Sequence, residues 1–326
     1  MKILITGISG FVARHFVDYL STTGDLYDVA GIYFRTKPAF DENAHRNVIC
    51  NFHQMNLTDE TKLKNLLLEF QPDYILHLAS KSSVAYSWLH PAESITESNG
   101  IFLNIVEQLR ILKLKCRLLS IGSSEEYGNV NEDTLPLKEN QLTAPVNPYG
   151  ASRLFQHIVG NIYSLNYDVD IIHTRSFNHL GPHQTESFVI SSFAKQIAIQ
   201  LINGKRSITL SVGNINVVRD FTDVRDVVKA YYGLLLNGKK GNTYNVCSNK
   251  GFILKDIISI LAEITGTQIT WEINKKNYRP SENTKIIGSY AKIKNEIGWE
   301  PEIPIKQSLS DLLEYWKIKV SSLQTS

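Results

Sequence analysis

Cysteine is scarce: Cys50, Cys116 and Cys247 are the only three in 326 residues, and they are scattered. An odd, dispersed set supplies neither a disulfide framework nor a metal knuckle, and it points to a reducing, cytoplasmic setting. Long apolar runs are missing too. Ile3-Leu4-Ile5 behind Met1-Lys2 is too short for a secretory signal, and nothing approaches the roughly 20 residues needed to span a bilayer. Charge of one sign is lacking, since the formal net charge is only +2. No footprint for nucleic acid or an anionic membrane follows from that balance. No linker, repeat or low-complexity tract is present. With 43% hydrophobic residues the chain has ample material for a large core, so a soluble globular protein is expected.

Short apolar runs alternate with longer helical patterns through the first half. Strands are expected at Lys2–Thr6, Val29–Phe34, Tyr74–Ala79, Leu118–Ile121 and Val169–Arg175, and Val48–Leu57 leads into a helix. Helices are expected at Val12–Ser21, after Thr58-Asp59 (with Asp59 as cap), at Ser94–Leu112 and from Tyr149. That alternation argues an α/β fold with a doubly wound parallel sheet, whose ligands lie at the carboxyl ends of the strands. In the second half Ser187–Leu201, Leu254–Thr265 and Ile305–Lys317 read as helices and Thr243–Cys247 as a strand. Asn214–Asp226 reads as a charged turn region and Ser321–Ser326 as a frayed tail. The expected division is a nucleotide-binding domain of residues 1–168, with a returning segment near 217–248. A smaller interleaved C-terminal domain of 169–216 and 249–320 would take the substrate.

Gly7 and Gly10 follow the first strand and precede a helix, the context of a dinucleotide cradle in which backbone N–H groups meet a pyrophosphate. A plain strand-to-helix turn is the alternative. The second strand ends Tyr33-Phe34-Arg35-Thr36-Lys37 without the acidic residue that would accept from an NAD ribose. Arg35 therefore favours the 2′-phosphate of NADPH, with NADH as the alternative. Ser123, Tyr149 and Arg153 form a candidate catalytic set. A tyrosine beside a carbonyl oxygen exchanges a proton as hydride moves, a cation at i+4 shares its helical face, and a serine at a strand end bonds the same oxygen.

Four further segments stand in order: Gly122-Ser123-Ser124-Glu125-Glu126-Tyr127-Gly128, Arg175-Ser176-Phe177-Asn178-His179-Leu180-Gly181-Pro182, Arg219-Asp220-Phe221-Thr222-Asp223-Val224-Arg225-Asp226 and Arg279-Pro280-Ser281-Glu282. With them the chain resembles, over nearly its whole length, the extended short-chain dehydrogenase/reductases acting on nucleotide sugars. Within that family it is most similar to the GDP-4-keto-6-deoxymannose reductases that form GDP-rhamnose, sisters of the GDP-mannose 4,6-dehydratases. The resemblance implies a Rossmann sheet, a GDP-sugar substrate, C4 ketone reduction in cell-surface polysaccharide synthesis, and a homodimer paired through the helices at Ser94–Leu112 and Tyr149. Leu103, Val106 and Leu109 are the apolar residues offered for that pairing, with burial against the sheet as the alternative. It adds Phe11, Val12, Asn56, Leu57, Leu78, Ala79 and Ser80 to the cofactor site. It places Ser124, Asn178, Lys195, Arg219, Arg279 and Glu282 around the substrate, and Glu125 where the dehydratases hold their base.

The resemblance also places Tyr149 and Arg153 at the cofactor, but one residue departs from the family pattern: Arg153 stands where these enzymes carry the lysine that bonds the nicotinamide ribose and holds the tyrosine's pKa down. Arginine keeps the charge but presents a wide planar fork. Two rival readings stand, a GDP-sugar 4,6-dehydratase, on the strength of Glu125, and a non-catalytic nucleotide-sugar or cofactor sensor whose site has drifted at Arg153.

Overall fold

The computed structural model describes residues 1–40, 45–274 and 283–324. Arg279 and Glu282 lie outside them. The first half runs β1 (Lys2–Thr6), α1 (Phe11–Leu20), β2 (Tyr27–Tyr33), β3 (Val48–Gln54), α2 (Glu60–Phe70), β4 (Tyr74–His77), α3 (Val84–Leu89), α4 (Pro91–Leu112), β5 (Arg117–Ser123), a 3-10 turn (Ser124–Tyr127), α5 (Pro148–Asn166) and β6 (Asp170–Ser176). The second half adds β7 (Asn178–Leu180), α6 (Val189–Ile202), β8 (Ser207–Val212), β9 (Val218–Asp223), α7 (Val224–Asn237) and β10 (Thr243–Val246). It closes with β11 (Gly251–Ile253), α8 (Leu254–Thr265), β12 (Gln268–Ile273), β13 (Lys285–Ile286), α9 (Ala291–Ile297) and α10 (Ile305–Gln324).

Seven strands form the main sheet in the order β10-β6-β5-β4-β1-β2-β3, every neighbouring pair parallel. Ile3, Leu4 and Ile5 are buried on both faces of β1, as a continuous apolar run in a covered parallel sheet should be. Ala13, Phe16, Val17 and Leu20 give α1 one apolar stripe, which packs with α7 residues Val227, Tyr231 and Leu234 on one side of the sheet. Leu63, Phe102, Ile105 and Val106 from α2 and α4 cover the other. The chain leaves β1 toward β2 on one side and places β4 on the other. That reversal opens a crevice at the carboxyl ends of β1 and β4.

The remaining strands build a smaller assembly. β9 pairs with β7, β11 and β13, β8 pairs with β12, and α6, α8 and α10 enclose a separate core around Phe193, Ile257 and Trp316. No helix among the described residues is long and apolar enough to cross a membrane.

Three expectations are corrected. The supposed turn region Asn214–Asp226 contains β9 and opens α7. Its three aspartates are buried and hydrogen-bonded, which hid the strand from a reading based on apolar residues. Asp220 accepts from the Ser248 N–H and hydroxyl and from the N–H groups of Asn249 and Gly288. Asp223 accepts from Arg225 and Ser308, and Asp226 from the N–H groups of Glu302 and Ile303. The tail is helical as far as Gln324, because Val320 is buried against the second core and carries α10 past Lys317. Val106 and Leu109, offered for a helix-paired surface, are 0% and 1% exposed and belong to the core, whereas Leu103 is 38% exposed.

Candidate functional site

The crevice begins at Gly7. Its φ is +72°, and a Cβ there would meet the Ala79 nitrogen at 2.9 Å, so the turn after β1 presses its backbone against the segment leaving β4. Thr6 fastens the two. Its Oγ1 accepts from the N–H groups of Leu78 (3.2 Å) and Ala79 (3.1 Å), and shares a hydrogen bond with Nδ1 of His77 at 2.8 Å. Gly10 caps α1 without any side-chain bond, which leaves the N–H groups of Phe11 and Val12 without intrahelical partners. Such a helix start suits a pyrophosphate, and the absence of a Cβ at Gly7 and Gly10 keeps the approach open. Arg35 is exposed on the loop after β2 and stacks on Phe34; Ser9 Oγ donates to the Thr36 carbonyl and draws that loop against the cradle. Asn56 is exposed and its Oδ1 accepts from the Thr58 N–H. Leu57 is buried, its carbonyl held by Asn104, and Asp59 caps α2 by accepting from the Lys62 N–H.

Ser123 ends β5, next to β4 in the sheet, and Tyr149 and Arg153 lie on the first turns of α5, which docks on the 3-10 turn. Arg153 is 4% exposed and its Cζ sits 5.0 Å from the centre of the Tyr149 ring. The guanidinium donates to the Ile121 carbonyl at 3.0 Å, to Gln156 Oε1 at 3.1 Å and to the hydroxyl of Ser80. Arginine thus ties α5 to the ends of both β4 and β5. His77, fully buried nearby, is pulled down to about 3 by burial and secondarily by the Arg153 charge. Lys81, the other nearby cation, is occupied by Glu93 at 3.1 Å and Glu97 at 3.6 Å on α4.

Beneath Ser123 lies a buried ionic cluster that local pattern does not announce. Glu126 accepts from the Ser123 N–H at 2.9 Å, from His173 Nε2 at 3.0 Å and from Arg175 Nε at 3.2 Å. Burial raises the tendency of Glu126 to hold a proton, but His173 and Arg175 outweigh it and bring the carboxyl below its ordinary value. Glu126, His157 and His173 offer atoms close enough for a metal, yet Arg175 already supplies the positive charge beside the carboxylate. The His173 and Arg175 partners of Glu126 stand 47 and 49 residues away, beyond any local pattern, while its bond to Ser123 closes a capping box within the 3-10 turn. Asn147 was more legible: it precedes Pro148 at the helix start and caps α5 through the Gly150 N–H.

The expected substrate residues are less gathered. Ser124 is buried on the 3-10 turn, and Asn178 on β7 donates to the Asp220 carbonyl of β9. Arg219, on β9, is 8% exposed and donates to the Val218 carbonyl at 2.9 Å. Lys195 lies on α6 over Trp316 and is paired with Glu186 at 2.8 Å. The His179-Leu180-Gly181-Pro182 segment meets the cradle helix: His179 stacks on Phe11, and the Pro182 carbonyl lies 2.9 Å from His15 Nε2.

A glycine cradle at the switch point of a doubly wound sheet, with serine, tyrosine and cation at neighbouring strand ends, is the layout of a nucleotide-dependent oxidoreductase. The model of the family described as GDP-mannose 4,6 dehydratase matches residues 4–312. The chain belongs to that family. GDP-6-deoxy-D-mannose reductase of Pseudomonas aeruginosa is 32% identical over 319 residues, covering 98% of each chain. A GDP-mannose 4,6-dehydratase of Vibrio cholerae serotype O1 is 24% identical over 349 residues, covering 95% of this chain and 92% of the relative. The structure of RMD from Pseudomonas aeruginosa complexed with NADPH is similar with a TM-score of 0.83 at 32% identity, covering 98% of this chain and 99% of that one.

Proposed function

We propose that this chain reduces the C4 ketone of a GDP-4-keto-6-deoxy sugar with NADPH, taking GDP-4-keto-6-deoxymannose to GDP-rhamnose, or the 6-deoxy-heptose analogue to its alcohol. The product would feed cell-surface polysaccharide synthesis. The observation that carries the reading is the inward Arg153, a buried cation against the Tyr149 ring at the ends of β4 and β5.

NADPH, when bound, supplies the hydride that C4 of the sugar receives. Tyr149 gives its hydroxyl proton to the C4 oxygen as that oxygen becomes an alcohol, and Ser123 Oγ hydrogen-bonds the same oxygen. The Arg153 charge stabilises the phenolate left behind. Gly7, Gly10, Phe11 and Val12 hold the pyrophosphate, Leu78, Ala79 and Ser80 border the nicotinamide half, and Arg35 takes the 2′-phosphate. Asn56 and Leu57 flank the adenine. Ser124, Asn178, Lys195 and Arg219 hold the GDP-sugar, with Arg279 and Glu282 completing the set. Cations and amides suit a diphosphate, and a carboxylate suits ribose hydroxyls. Glu125 joins the constellation at the position where the dehydratases hold their base.

The division 1–168 with a return near 217–248, against 169–216 and 249–320, is retained as a proposal. The return is supported by α7 and β10 on the main sheet, while β9 pairs within the smaller assembly. A homodimer through α4 and α5 is supported by Leu103, Ile158, Ile162 and Leu165, which are exposed on helices that pack side by side. Three buried, scattered cysteines suit a cytosolic enzyme.

Tyr149→Phe tests the reading. Turnover should fall on the order of 100- to 10,000-fold with NADPH binding unchanged. Near-normal turnover would remove the proton-donor role. The dehydratase alternative rests on Glu125 and predicts water loss from GDP-mannose without net oxidation of NADPH.

A further inference from the structure

One amide near the site makes two bonds in opposite directions. Oδ1 of Asn147 accepts from the Gly150 N–H at 2.8 Å and caps α5, the helix that carries Tyr149 and Arg153. Nδ2 of the same side chain donates to Oε2 of Glu125 at 2.7 Å. Asn147 is 8% exposed. The segments it joins are pressed together, for a Cβ on Gly150 would lie 2.6 Å from the Glu125 carbonyl oxygen. Oε1 of Glu125 accepts no hydrogen bond among the described residues, which leaves it for a ligand.

Residue chemistry explains why asparagine stands here. A helix cap needs a short side chain with an acceptor, a condition met by Ser, Thr, Asp and Asn. Holding a carboxylate at the same time needs a donor pointing the other way. Aspartate has none when ionised, and the hydroxyls of serine and threonine are shorter. Asparagine alone among these carries acceptor and donor on separate atoms. The carboxylate position is thereby set by the same group that sets the start of the tyrosine helix.

We propose that Asn147 is a positioning residue that fixes the Glu125 carboxylate in register with the Tyr149 hydroxyl, leaving Oε1 to accept a hydroxyl of the sugar beside the ketone. The proposal rests on the reductase reading of this site and adds a determinant of how the sugar is oriented in it. It acts through geometry: a reacting group displaced by about 1 Å costs on the order of 100-fold in rate. NADPH binding lies outside its reach.

The test is a double-mutant cycle with Asn147→Asp and Glu125→Gln, reading kcat with GDP-4-keto-6-deoxymannose, NADPH affinity and Tm. Asn147→Asp keeps the cap but sets a carboxylate against Glu125, so kcat should fall about 10- to 100-fold while NADPH affinity stays within about twofold. Glu125→Gln should also lower kcat. In the double variant the introduced glutamine amide donates to the introduced aspartate, restoring the bond with its polarity exchanged. Its kcat should be no lower than that of Glu125→Gln alone, and its Tm should recover relative to Asn147→Asp. An unchanged kcat in Asn147→Asp beside an impaired Glu125→Gln overturns the proposal and leaves the reductase reading standing, as does a double variant whose loss is the product of the two single losses. A silent Glu125→Gln overturns the proposal together with the Glu125 assignment, whereas Tyr149→Phe reports on reduction independently.

Discussion

Arg153 turns its guanidinium inward, 5.0 Å from the centre of the ring of Tyr149, the residue one helical turn before it. The relationship decides between two pictures of the arginine: a surface residue replaced in function by Lys81, or the working cation of the site. Its 4% exposure and its bonds to Ile121, Gln156 and Ser80 favour the second, and Lys81 is occupied by Glu93 and Glu97.

Arg153→Lys should keep turnover to within about tenfold, because the charge remains while the fork that spans three acceptors is lost. Arg153→Met should lower kcat by about 100-fold or more, since no cation then faces the phenolate, and should weaken NADPH binding, since the donor proposed for the nicotinamide ribose is lost. It should also destabilise the fold by about 1–3 kcal/mol, as the Ile121 carbonyl and Gln156 Oε1 lose their donor. Steady-state kinetics, NADPH titration and urea unfolding of both variants check this. A methionine variant with wild-type kcat and NADPH affinity contradicts it.

His77 makes the crevice sensitive to acid. It is buried, its pKa pulled to about 3, while an unfolded histidine titrates near 6.5. Below that unfolded value the unfolded chain binds a proton that the folded one refuses. Stability from neutral His77 is therefore complete above about pH 6.5 and is lost, at about 1.4 kcal/mol per pH unit, as pH falls toward 3. His157, also held near 3, and His183, held near 4 by burial, add to the same slope. Urea unfolding between pH 7.5 and 5 should show the decline. His77→Asn, which keeps an acceptor for Thr6, should make it shallower; an unchanged slope in that variant would show that His77 does not titrate on unfolding.

How much of this was legible in the sequence follows from where each signal lives. Leu254–Thr265 was read to the residue because its apolar stripe is local, and Asp59 announced α2 because a cap acts within one turn. β9 was not, since Arg219, Asp220 and Asp223 are charged residues at buried positions and the two aspartates draw on residues 248–249, 288 and 308. The contacts of Glu126 with His173 and Arg175 escape for the same reason, whereas its bond to the Ser123 N–H closes a local Ser-x-x-Glu capping box. Val106 and Leu109 show the opposite limit: periodicity gives an apolar face without saying which neighbour covers it.

The α4–α5 surface predicts a dimer. Ile158, Ile162 and Leu165, at i, i+4 and i+7 on α5, are 51%, 46% and 81% exposed. Light scattering at micromolar concentration should give twice the chain mass, and Ile158→Asp with Ile162→Lys should give the monomer mass with the fold intact by circular dichroism. A monomeric wild-type chain would remove the pairing.

The central claim is a change of redox state at the sugar ketone, and it is read most directly by mixing the protein with NADPH and GDP-4-keto-6-deoxymannose. Each NADPH oxidised should yield one GDP-6-deoxyhexose alcohol, GDP-rhamnose where the new 4-hydroxyl is equatorial, while GDP-mannose alone is left unchanged. Loss of water from GDP-mannose with no net oxidation of NADPH, or a ketosugar that stays untouched while NADPH binds, would contradict it.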